Sequence, residues 1–92
     1  MSDVRDNQDQ SRFEVLVDGK VAGVSEYQRE GDVVTFVHTE IDGAYEGQGL
    51  GGALARGALD QVRRDGRRVV AKCEFIAGWI DKHPDDQDLL AG

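Results

Sequence analysis

Glu46-Gly47-Gln48-Gly49-Leu50-Gly51-Gly52-Ala53 is the stretch on which the fold turns, because the hydrophobic period changes across it. Upstream, Val33 to Glu40 is rich in β-branched residues and reads as a strand. Strict alternation puts Val34, Phe36 and His38 on one face, and Val33, Thr35, Val37 and Thr39 on the other. Downstream, Leu54, Ala55, Ala58, Leu59 and Val62 recur at helical spacing. Arg63 and Arg64 suit the negative end of that helix, and Gly66 suits its C-terminal cap.

Working outward, Phe13, Val15 and Val17 alternate as a first strand, and Asp18-Gly19 supplies a hairpin turn. A second strand is expected from Lys20 to Arg29, with Glu30-Gly31-Asp32 as the turn into the third. Beyond the helix, Arg67 to Cys73 alternates with Val69, Ala71 and Cys73 on one face, a buried fourth strand. Phe75, Ile76, Trp79 and Ile80 then form the stripe of a short helix that stops near His83, since the residue before Pro84 is pushed out of helical geometry. Residues 1–11 are polar and read as a flexible tail, leaving 12–92 as one domain. The expected order is βββαβα: a mixed, mostly antiparallel α/β (α+β) sheet with two helices packed on it.

The composition narrows the function classes. A net charge of −7 repels phosphate backbones, which argues against nucleic acid or an anionic membrane as the main partner. It is compatible with a cationic partner such as an amine, or with a surface that simply keeps a small protein soluble. No apolar run is long enough to span a bilayer, and the first residues lack the apolar segment of a secretory signal. Cys73 is the only cysteine, so no internal disulfide can form and a cytoplasmic location is expected. Cys73, His38 and His83 lack the spacing of a zinc site, and no metal is expected.

The chemistry concentrates in the glycine-rich turn. Without side chains at Gly47, Gly49, Gly51 and Gly52, a ligand can approach the backbone closely. The N–H groups that open the next helix lack internal partners and sit at the positive end of its dipole, a site for a pyrophosphate or similar anion. A P-loop is excluded, since no lysine followed by Ser or Thr is present. A dinucleotide fold would need a second βαβ half that 92 residues do not hold. The other reading of the turn is architectural: glycines that let helix and sheet pack tightly.

With Glu46-Gly47-Gln48-Gly49-Leu50-Gly51 heading a helix, the sequence resembles the GNAT superfamily of N-acetyltransferases, whose Q/R-x-x-G-x-G/A motif holds the pyrophosphate of acetyl-CoA. Glu46 stands where that superfamily usually has Gln or Arg. Cys73-Glu74-Phe75-Ile76 followed by His83-Pro84-Asp85 is similar to the tail of its small stand-alone, YjdJ-like members, and the likeness runs from about Phe13 to Leu90. The resemblance implies an acetyl-CoA-dependent transfer of an acetyl group to a primary amine, either a small molecule or a lysine side chain. It implies a cosubstrate site at Thr39, Ile41, Glu46, Gly47, Gln48, Gly49, Leu50, Gly51, Gly52 and Ala53. Backbone N–H groups near His38 and Thr39 would be the oxyanion donors, beside a gap between the third and fourth strands that takes the pantetheine arm.

His38 is the candidate base, because imidazole titrates near neutral pH. Packed on the sheet beside Phe36, it would instead be structural. Cys73 is the candidate proton donor or acyl acceptor, a cysteine thiol being about as acidic as an ordinary thiol leaving group. It reads equally as a small buried hydrophobe. His83 reads as structural, and Trp79 as core or as the edge of an adenine pocket. Two other functions fit the same residues: a CoA-binding regulatory or interaction module without transfer, and a phosphate-binding fold for an unrelated ligand.

Overall fold

The computed structural model describes residues 2–91 of the chain. Five strands lie in sequence order across one sheet: β1 (Ser2–Asn7), β2 (Arg12–Val17), β3 (Lys20–Glu30), β4 (Val33–Ile41) and β5 (Arg68–Ala71). Neighbours pair antiparallel except β4 and β5, which are parallel and joined through α1 (Leu50–Arg64). A second helix, α2 (Glu74–Lys82), follows β5, and a 3-10 segment, Pro84–Leu89, follows α2. The Asp18-Gly19 turn forms as expected, both residues at positive φ.

Both helices pack on one face of the sheet. Leu54, Leu59 and Val62 of α1 and Ile76 and Ile80 of α2 meet Phe13, Val15, Val34, Phe36 and Val69 in a single buried cluster. Phe13, Tyr27 and Phe36 form its aromatic centre, with ring centroids 5.3–6.4 Å apart. The helices also touch each other: a Cβ on Gly51 would lie 2.9 Å from the Phe75 ring, and one on Gly52 3.2 Å from Trp79. Among the described residues, no helix covers the opposite face, where Leu16, Val24 and Val70 are half-buried and Glu26, His38 and Glu40 are exposed. No described helix is long and apolar enough to cross a membrane.

The N-terminal segment departs from expectation. Apart from Met1, which lies outside the described residues, the expected flexible tail contains an edge strand, β1, paired with β2 from Ser2↔Val17 to Asn7↔Arg12. Contacts that polar composition does not reveal hold it. Val4 packs in the notch left by Gly57, whose Cβ would approach within 2.5 Å of the Val4 Cβ. The Tyr27 hydroxyl donates to Asp6 at 2.6 Å, and Gln61 donates to the Val4 carbonyl at 3.2 Å. Arg5, Asn7 and Arg12 all donate to the carboxylate of Glu14, which is 1% exposed.

Glu14 makes this knot sensitive to acid. Burial works to raise its carboxyl, but the hydrogen bonds from Arg5, Asn7 and Arg12 outweigh it and hold the group below the usual carboxylate range. A depressed folded-state value stabilises the fold above the unfolded range and loses that contribution as pH falls through the folded value. Glu14→Gln is therefore expected to lower the thermal midpoint at about pH 7, by a difference that narrows as the pH is taken down through and below the ordinary carboxylate range. A midpoint difference that stays constant across thermal melts in that range would remove Glu14 from the acid response.

The C-terminal segment is also docked rather than loose. Asp86, 2% exposed, accepts from Arg56 at 2.7 Å and pairs with Arg63 at 3.5 Å, which ties the 3-10 segment to α1. Leu89 is buried, and Leu90 bridges to Val69 while remaining exposed. His83 caps α2, donates from Nδ1 to the Trp79 carbonyl at 2.6 Å and stacks on the Trp79 ring.

A strand gap and an amide turn form the candidate active site

Two strands that part company create the site. β4 and β5 pair only from Val33↔Arg68 to Phe36↔Ala71; β5 then ends while β4 runs on to Ile41. The Phe36 carbonyl closes the junction by accepting from both the Lys72 N–H (3.0 Å) and the Cys73 N–H (2.9 Å). Past that point β4 runs on without its β5 partner, leaving a wedge beside it with Cys73, the residue preceding α2, at the apex.

A bulge decides which side chains line the wedge. Pairing with β3 passes from Glu26↔His38 to Tyr27↔Phe36, so β4 carries one extra residue, Val37. Alternation reverses there. His38 does not share the face of Val34 and Phe36, as strict alternation predicts; Thr39 takes the helix-facing side instead. The His38 side chain is 57% exposed on the helix-free face, with Nε2 3.9 Å from Glu40. Thr39 faces Cys73, whose thiol donates to Oγ1 at 3.2 Å, and Thr39 Oγ1 lies 2.9 Å from the hydroxyl of fully buried Ser25. The two candidate catalytic residues thus sit on opposite faces of the sheet.

The glycine turn lies at the start of α1. Gly47 and Gly49 adopt positive φ of 81° and 73°, and open space surrounds the position of a Cβ on either. The first α1 hydrogen bond runs from the Ala53 N–H to the Gly49 carbonyl at 3.2 Å. Ala53 is therefore committed to the helix, whereas the N–H groups from Gly47 to Gly52 have no acceptor among the described residues. Glu46, Gln48 and Gly49 are exposed, and the Leu50 side chain is buried in the core. Gly51 and Gly52 have an architectural use, though between helices and not between helix and sheet: they admit Phe75 and Trp79 of α2. Ile41 is half-buried against the position where a Gly23 Cβ would be. A cleft of about 520 Å³ over Val21, Gly23, Glu40 and Asp42 adds a feature that periodicity could not show.

Ser25 and Asp86 were not legible as site or clamp residues. Ser25 meets Thr39 only through a register set by the bulge at Val37, and Asp86 is one of several acidic residues in a polar terminus.

A parallel β4–β5 pair that stops at a bulge in β4, with an unpaired amide turn leading into the crossover helix, is the arrangement of an acetyltransferase-type fold. The chain belongs to the GCN5-related N-acetyltransferase family, whose model matches residues 12–89. Protein NATD1 of Bos taurus is 35% identical over 57 residues, covering 62% of this chain and 50% of that protein. The Homo sapiens protein of that name is 33% identical over 57 residues, with the same coverage of each. This chain thus spans about half the length of these curated relatives. A GCN5-like protein of Staphylococcus aureus shares the fold at a TM-score of 0.72 and 18% identity, covering 98% of this chain and 88% of its own. The ribosomal-protein alanine N-acetyltransferase of Escherichia coli superposes at 0.60 with 28% identity, covering 65% of this chain and 39% of its own.

Proposed function

We propose that this chain transfers an acetyl group from acetyl-CoA to a primary amine. The observation that carries the reading is the wedge between β4 and β5, with Cys73 at its apex and the unpaired amides of Gly47 to Gly52 nearby in the connection from β4 to α1. The amide turn would hold the pyrophosphate, and the wedge would take the pantetheine arm, which leaves the thioester between the two faces of the sheet. His38, on the helix-free face, would take the proton from the attacking amine. Cys73, on the helix side, would protonate the departing thiolate. Base and acid would then reach the tetrahedral intermediate from the two faces of the sheet, the one serving the attacking amine and the other the departing thiolate.

An amine approaching the helix-free face meets Glu40 and Asp42 beside the cleft, charges that suit a cationic acceptor in a chain of net charge −7. Little protein covers that face, which favours a broad acceptor range over one selected amine. The alternative, a CoA-binding module without transfer, is favoured by Glu46, whose carboxylate stands beside the amide turn.

Calorimetric titration with acetyl-CoA, CoA and ADP tests the reading. Binding in the micromolar range that requires the pantetheine arm is expected, a free energy of about −8 kcal/mol. Binding with no thioester loss across an amine panel would favour the module. Absence of heat with all three ligands would leave the glycine turn architectural and end the proposal.

A further inference from the structure

The Thr39 and Ser25 hydroxyls have no part in the transfer described so far, yet they form a continuous chain with the thiol: 3.2 Å from Cys73 Sγ to Thr39 Oγ1 and 2.9 Å on to Ser25 Oγ. Ser25 is fully buried, Thr39 half-buried and Cys73 6% exposed, so water is largely kept from the chain. A hydroxyl can donate or accept according to its rotation, and a thiol has both capacities more weakly. The chain therefore has two self-consistent polarities. In one, the thiol donates to Thr39 and Thr39 donates to Ser25. In the other, Ser25 donates to Thr39 and Thr39 donates to sulfur.

We propose that Thr39 and Ser25 are positioning residues that switch between these polarities as Cys73 gives up its proton. The inference rests on the acetyltransferase reading. As the amine lone pair forms the C–N bond, the carbonyl π pair moves onto oxygen; when that pair re-forms the carbonyl, the C–S bond breaks and its electron pair leaves on the CoA sulfur. Cys73 supplies a proton to that sulfur and is left as a thiolate. The Thr39 O–H then rotates to donate to Cys73 Sγ, and Ser25 donates to the lone pair this exposes on Thr39. The proton shed by the amine passes to His38 and, through solvent, restores the Cys73 thiol. A charge-assisted hydrogen bond of this kind, in a site shielded from water, is stronger than its neutral counterpart.

The bulge at Val37 is what makes the arrangement possible. Under unbroken alternation Thr39 would face the helix-free side, away from both Ser25 and Cys73.

Alkylation by iodoacetamide tests the relay independently of any acceptor, because Cys73 is the chain's only thiol. Thr39→Val keeps the shape and the strand propensity but removes the hydroxyl; it is expected to slow alkylation about tenfold at one alkaline pH. Thr39→Ser restores the hydroxyl and is expected to react within about twofold of the parent. Ser25→Ala, which removes the far end of the chain, is expected to slow the reaction about threefold. If the valine variant reacts as fast as the parent, or the serine variant as slowly as the valine one, the relay is overturned. In thioester-loss assays with poly-L-lysine as acceptor, Thr39→Val is expected to lower kcat about tenfold, a larger effect than any change in KM for acetyl-CoA, and Thr39→Ser is expected to restore it. A parent chain that neither binds nor consumes acetyl-CoA would defeat the acetyltransferase reading alone, since the alkylation series still decides whether the hydroxyls act on the sulfur.

Discussion

Cys73→Ala is expected to reduce acetyl transfer by about 10²–10³-fold while leaving the acetyl-CoA dissociation constant within about threefold of the parent value. The split follows from position. Cys73 stands at the apex of the wedge, its backbone N–H held by the Phe36 carbonyl at 2.9 Å and its thiol held by Thr39. The main-chain hydrogen bond does not depend on the side chain, so alanine should preserve the junction of β4, β5 and α2. Loss of one buried sulfur would cost roughly 1 kcal/mol of stability, too little to unfold the domain. What disappears is the proton for the departing thiolate. The comparison needs calorimetric affinity and steady-state thioester loss on the same preparations. Transfer that continues at the parent rate would take Cys73 out of the chemistry and return it to the core.

Phe36→Ala carries the largest expected effect on stability, a loss of about 3–5 kcal/mol. Phe36 is fully buried, and its ring completes the cluster with Phe13 and Tyr27 at centroid distances of 5.9 and 6.4 Å. Removing it opens a cavity in the core cluster at the position where β4 stops pairing with β5. For a domain of about this size each kcal/mol lowers the thermal midpoint by about 4–8 °C, so a fall of at least about 12 °C is expected. Scanning calorimetry on parent and variant measures it directly. A fall of under about 4 °C would mean that the core relaxes into the space and that Phe36 is not its keystone.

Much of the architecture was legible because hydrophobic period is a local property. The switch from alternating residues before Glu40 to helical spacing from Leu54 placed the third predicted strand, the glycine turn and the crossover helix within a few residues of where they lie. The hairpin at Asp18-Gly19 and the stop before Pro84 were equally local, since each depends on the conformational range of one or two residues. β1 escaped because its evidence is distributed. Val4 is its one apolar contact residue, and the groups that anchor the strand belong to Glu14, Tyr27, Gly57 and Gln61.

The same distinction divides the site. Sequence alone determined that a strand, a glycine-rich turn and a helix follow one another, and therefore that unpaired amides would open α1. Backbone geometry at Gly47 and Gly49 and the vacancy of a helix start are dictated within a few residues. Only the tertiary structure decided which side chains face the wedge. A single extra residue in β4 reverses every face beyond it, turning His38 to the open side and Thr39 toward Cys73, a residue 34 positions away. A bulge is set by pairing with the neighbouring strand and by packing beneath it, and those contacts exist only once the sheet has assembled.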